Sequence, residues 1–142
     1  MEDFKDCLVN QERVKELFAG CRSDEERYKV LIELGRNVRP LEEKYKVPEN
    51  VVPGCQSVMH LHAWKEGDCV FFEAESEALV SSGLAQILIR VYSGLKPEVI
   101  LKCPPDFLHE LRLSQSLSPT RANGIYSIHL KMKQEALRLL LN

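Results

Sequence analysis

The stretch "SVMHLHAWKEGDCVFFEA", residues 57–74, decides the architecture. Met59, Leu61 and Ala63 alternate with Val58, His60, His62 and Trp64, a period of two that predicts a strand with one apolar side. "KEGD", 65–68, reads as a turn and "CVFFEA" as a second strand, so the segment doubles back as a hairpin. The period then changes. "SEALVSSGLAQILIRVYSGL", 76–95, carries Leu79, Val80, Leu84, Ile87, Leu88 and Val91 at helical spacing, with Ser76 as the expected N-cap. Gly83 inside that helix costs about 1 kcal/mol relative to alanine, which points to a second backbone packed close against it.

Working outward, two helices precede the hairpin. "QERVKELF" places Val14, Leu17 and Phe18 on one face. "SDEERYKVLIELGR" announces the second: Ser23 caps, Glu26 closes a capping box, and Tyr28, Leu31, Ile32 and Gly35 line one side. Pro40, Pro48, Pro53 and Gly54 punctuate an extended connection, from which a third strand ahead of Cys55 is a further expectation. Beyond the apolar helix, "KPEVIL" and "PPDFLHELRL" read as short helices, and a long one begins at Ser118 as cap with Pro119 in its first position. Helices, a small antiparallel sheet packed against them, then more helices make an α+β fold. The 142 residues suit one domain, 1–142.

Composition narrows the function. The chain is 44% hydrophobic and 28% charged with a net charge of -2, and it has no basic block to attract nucleic acid. No apolar run approaches membrane-spanning length. The N-terminus is acidic and lacks the apolar segment of a signal peptide, so a cytoplasmic protein is expected. Five cysteines, an odd number, fit a reducing compartment better than a disulfide framework.

Four of these cysteines, Cys7, Cys21, Cys69 and Cys103, accept ordinary packing roles. Cys55 does not. It follows a Pro-Gly pair in "VPGCQSVMHL", at the entrance to the first strand. There is no C-x-x-C for a clustered metal site. A cysteine protease needs a base and an orienting group, whereas His60 and His62 sit on a strand that runs away from the loop. A phosphatase loop needs C-x5-R, and the sixth residue after Cys55 is Leu61. Cys7 and Arg13 match that spacing only within a helical, glycine-free stretch that cannot wrap an anion. What is left open is a small buried residue or a lone exchanging thiol. Exchange at an already activated sulfur needs only a thiolate and access.

Four segments carry a resemblance to a known family. They are "YKVLIELGR" (28–36), "VPGCQSVMHL" (52–61), "SEALVSSGLAQILIRVYSGLKPEVI" (76–100) and "FLHELRLSQSLSPTRANGI" (107–125). In this order and separation they resemble the SufE family of sulfur acceptors. The resemblance implies a fold shared with IscU-type scaffolds. It also implies that Cys55 accepts persulfide sulfur from a SufS-like, pyridoxal-phosphate cysteine desulfurase, enhances its turnover and passes sulfur to a SufBCD-like iron–sulfur scaffold. The acceptor would be an accessory protein with no cofactor of its own. Gly54, Gln56, Ser57, Glu77 and Arg121 are the expected supporting or partner-binding residues. Arg121 sits where a helix start ordinarily disfavours positive charge, so it either holds the loop or partner or makes a surface ion pair. Glu77 replaces the family's usual aspartate, Ser82 its lysine and His60 a common tryptophan. The first two are expected on the partner-facing side of the apolar helix. The alternative is an IscU-like scaffold that itself binds a cluster or metal.

Overall fold

The computed structural model describes residues 3–142 except 56, 114–116 and 118, and in the last helix leaves aside the side chains of 120 and 121. Helices α1 (Lys5–Leu17) and α2 (Asp24–Arg36) lead into a hairpin of β1 (Met59–Glu66) and β2 (Cys69–Ser76). Then follow α3 (Leu79–Tyr92), α4 (Pro97–Lys102), α5 (Phe107–Glu110) and the long α6 (Pro119–Leu141). The fold is α+β, as the order of periodicities predicted.

The hairpin register runs from Met59 opposite Ser76 to Glu66 opposite Cys69. Met59, Leu61 and Ala63 of β1, with Val70, Phe72 and Ala74 of β2, all turn into the core. The opposite face carries an aromatic stack. Tyr45 lies on His62 with ring centroids 3.6 Å apart, His62 on Trp64 at 5.2 Å, and Trp64 on Phe71 at 5.9 Å. This second face was legible as polar alternation but not as a stack, because Tyr45 arrives from a distant 3-10 turn, Glu43–Tyr45.

Apolar α3 forms the centre. Val80, Leu84, Ile87, Leu88 and Val91 are buried as its period requires, whereas Leu79 is 40% exposed. Leu79 does its packing through backbone. A Cβ built on Gly35 would lie 2.1 Å from the Leu79 carbonyl oxygen, and one on Gly83 would lie 2.1 Å from that of Leu31. Helices α2 and α3 therefore touch main chain to main chain at two points, the close approach that Gly83 foretold.

At the start of α2 the Ser23 hydroxyl accepts from the Glu26 amide at 3.2 Å, and the Glu26 carboxylate accepts from the Arg22 amide. The reciprocal bond thus closes one residue before the cap. Three local expectations need correction. Ser76 is no N-cap: β2 continues through it, and Ala78 occupies the cap position of α3. Leu17 is 38% exposed, because α1 begins earlier than its apolar spacing showed and turns only Cys7, Gln11 and Val14 inward. No third strand forms among the described residues. Val51 makes an isolated bridge with His60, and the Val52 amide donates to the Met59 carbonyl at 2.9 Å. Pro53, which lacks an amide hydrogen, and the turn that follows stop the ladder there. Pro119 opens α6 as expected, while the Ser118 cap lies outside the described residues.

Candidate functional site

Cys55 belongs to the short connection that carries the chain from Val52 into β1. Its upstream end is anchored twice. Val52 is 3% exposed and paired to Met59, and the Lys131 Nζ of α6 donates to the Glu49 carbonyl at 2.6 Å. Pro53 and Gly54 then make a turn in which Gly54 takes a φ of +84°, a left-handed angle that glycine adopts without a Cβ clash. A Cβ on Gly54 would also stand 2.7 Å from the Ser127 Oγ.

The loop rests on α6. A Cβ placed on Gly124 would be 4.0 Å from Cys55 Sγ. Gly124, Ser127 and Lys131 fall three and four residues apart, so one face of the helix meets Cys55, Gly54 and Glu49 in turn. Small residues at the first two positions let the loop lie close. The only sequence signal for this seat was Gly124 inside a helical pattern, the same kind of signal that Gly83 gave.

Cys55 is half-buried and packs against the apolar core. That burial pushes its thiol up from the ordinary cysteine value. In this placement the protonated, unreactive form is favoured. His60 and His62 belong to the face of the hairpin turned away from the core, and His62 is held within the aromatic stack. Burial lowers the His62 pKa, with neighbouring Glu73 opposing it. Neither histidine is placed as a base for Cys55. Among the described residues no group of three or more His, Cys, Asp or Glu side chains is gathered to hold a metal ion.

The other predicted site residues are distributed as follows. Ser57 is half-buried and adjoins the loop. Gln56 lies outside the described residues, as does the Arg121 side chain, though residue 121 stands in the first turn of α6. Glu77 is exposed in the bend between β2 and α3. Since Ser76 pairs with Met59, that bend sits at the same end of the hairpin as the Cys55 loop. Val51, Val58 and Leu79, at 37%, 58% and 40% exposure, occupy this end as well. The expectation that Glu77 and Ser82 lie together on the partner-facing side of the apolar helix is corrected. Glu77 precedes the helix, and Ser82 is only 2% exposed. The Ser82 hydroxyl accepts from the Ser76 amide and donates to the Ser76 carbonyl, both at 3.0 Å. A serine here ties α3 to the end of β2, a task no lysine could do from within the core.

Comparison with known proteins agrees with this architecture. Residues 12–136 match the family described as "SufE: Fe-S metabolism associated domain". The chain is 38% identical over 91% of its length to SufE-like protein 1, chloroplastic/mitochondrial, of Arabidopsis thaliana, and spans 35% of that relative. It is 34% identical over 90% of its length to the uncharacterized SufE-like protein slr1419 of Synechocystis, covering 80% of it. The solution structure of a hypothetical protein from Thermus thermophilus superposes with a TM-score of 0.76 at 26% identity, over 94% of this chain and 97% of that one. With the match extending from α1 to near the end of α6, the chain belongs to the SufE family.

Proposed function

We propose that residues 1–142 act as a single sulfur-carrier domain and that Cys55 is the acceptor. SufE-family proteins are accessory sulfur acceptors for cysteine desulfurases in iron–sulfur metabolism. The observation that carries the assignment to Cys55 is its setting. It is the half-buried thiol on a proline-glycine turn, seated on α6, with neither His60 nor His62 turned toward it among the described residues.

The chemistry asks little of the protein itself. The desulfurase presents a persulfide, and its pyridoxal phosphate supplies the breaking of the carbon–sulfur bond. The Cys55 thiolate attacks the outer sulfur, a new S–S bond forms, and the desulfurase cysteine leaves as thiolate. Because burial disfavours the Cys55 thiolate, transfer requires the loop to leave its seat or the partner to stabilise the anion. Gly54 is the pivot for that movement. Exposed Val51, Val58, Leu79 and Glu77 offer a mixed apolar and acidic rim for the docking partner, with Gln56, Ser57 and Arg121 as further loop or partner contacts. The persulfide then passes to an iron–sulfur scaffold of the SufBCD kind. No helix among the described residues is long and apolar enough to cross a membrane, and all five cysteines are free thiols, which suits work in a reducing cytoplasm.

The test mixes the protein with a cysteine desulfurase and cysteine, then weighs the intact chain. Wild type gains one sulfur. Cys55→Ser gains none yet remains folded, and serine at position 7, 21, 69 or 103 leaves the gain intact. Sulfur retained in Cys55→Ser and lost in another variant would move the acceptor to that cysteine. Sulfide released from cysteine by the purified protein alone would replace the carrier with an enzyme.

A further inference from the structure

Away from the Cys55 loop, α1 and the end of α4 meet at a buried centre made of two thiols and one amide. Cys7 lies near the start of α1 and Cys103 ends α4. They are 0% and 1% exposed. Gln11, one helical turn after Cys7, lies against both. Its Nε2 is 3.6 Å from Cys7 Sγ and 3.8 Å from Cys103 Sγ, and donates to the Pro104 carbonyl at 3.0 Å. An amide nitrogen has two hydrogens. The carbonyl takes one, so the two sulfurs crowd around the other and stand within reach of each other. The Cys103 backbone is held in place as well, because the Tyr92 hydroxyl donates to its carbonyl at 2.8 Å. Burial, and then the neighbouring Cys7 thiol, push the Cys103 thiol up to about 12. The closed centre is thus chemically quiet, and its reactivity depends on opening.

We propose that Cys7 and Cys103 are an oxidation site, a thiol pair that closes to an intramolecular disulfide and fastens the first helix to the end of α4. The oxidant is a low-molecular-weight disulfide. Two protein S–H bonds break and one protein S–S bond forms. The oxidant's S–S bond breaks and its two sulfurs leave as thiols, carrying both protons and both electrons. Access comes through α1, which keeps Leu8, Val9 and Leu17 exposed and is the element whose detachment uncovers the pair. On reclosing, the fold returns the two sulfurs to the same amide. The bond spans most of the chain, so it restrains the unfolded state strongly. It does so without using the Cys55 loop, so this inference stands or falls apart from the sulfur-acceptor assignment.

The experiment uses the full chain with Cys21, Cys55 and Cys69 changed to serine, equilibrated in glutathione buffers from reduced to oxidised. The expected product loses the mass of two hydrogens and yields one linked pair of peptides, containing Cys7 and Cys103. Its thermal midpoint rises, and amide hydrogen exchange across α1 slows by roughly an order of magnitude or more. Adding Cys7→Ser to the same background removes all three effects, and Cys103→Ser serves as the matching control if that variant folds poorly. Glutathione adducts without a link would overturn the proposal. So would a link that forms only in denaturant, or one that lowers the midpoint.

Discussion

Gly83→Ala tests the backbone contact on which the centre of the fold is built. The added Cβ would meet the Leu31 carbonyl oxygen at 2.1 Å, its carbon at 2.8 Å and its Cα at 3.1 Å. No side chain can swing aside, since all three atoms belong to the main chain of α2. Alanine favours helix over glycine by about 1 kcal/mol, which opposes the clash. Overpacking a tight core costs roughly 1–3 kcal/mol, and more when backbone must move. Separating α2 from α3 also strains the second contact, Gly35 against Leu79. The net loss is therefore about 2 kcal/mol, and the thermal midpoint falls by roughly 7 °C for a chain of this size. Urea unfolding followed by circular dichroism measures it. Gly35→Ala should cost a similar amount, and the double variant less than the sum, because α2 is pushed away only once. A midpoint equal to or above wild type in Gly83→Ala would show that propensity outweighs the clash and that the two backbones do not touch.

His129 gives a pH signature. It is 7% exposed, its Nε2 has no hydrogen-bond partner, and burial chiefly, with Lys133 assisting, lowers its pKa to about 4. The unfolded chain takes up this proton near pH 6.5 and the folded chain only near 4, so stability falls as pH drops through that window. The loss approaches about 3 kcal/mol by its lower end, and a His129→Phe variant whose stability falls as steeply over the same range would assign the loss to other groups. Alkylation of Cys55 by iodoacetamide in the resting protein should be several-fold slower than that of an exposed cysteine peptide at about pH 8, and equal rates would mean that the thiol is not held in its seat. Gly54→Val should slow sulfur transfer and also cost about 1–2 kcal/mol, because a branched residue is strained at a φ of +84° and meets Ser127. Adding Ser127→Ala should recover only the steric part, so complete recovery would show that the backbone angle is unimportant.

Much of this arrangement was readable from local pattern. Alternation in 58–64 identified the core side of β1 residue by residue, because a half-buried strand leaves that trace. Gly83 announced a close approach since glycine inside an apolar helix has few other uses. Features made by distant segments left weaker marks. Ser76 looked like a cap because serine suits both a helix start and the turn that follows a strand, and the reach of β2 decided between them. Ser82 reads as a replacement for the family's lysine on the partner-facing side, but its hydroxyl is used inside, against Ser76. Cys55 was recognisable as unusual from Pro53 and Gly54. Its seat was not, because Gly124, Ser127 and Lys131 lie far along the chain and reach the loop only through tertiary packing.

The aromatic stack equips the molecule with its own optical reporter. Trp64 is the single tryptophan in the chain, and its ring lies between His62 and Phe71. A protonated imidazole quenches indole emission, so the fluorescence of this protein reads the charge and position of His62 on the outer face of the hairpin. The Cys55 loop enters β1 at Met59, the opposite end of the strand from Trp64 and the turn beyond it. An emission change when a partner is added therefore reports on the outer face, while loop movement with that face undisturbed is silent to this signal.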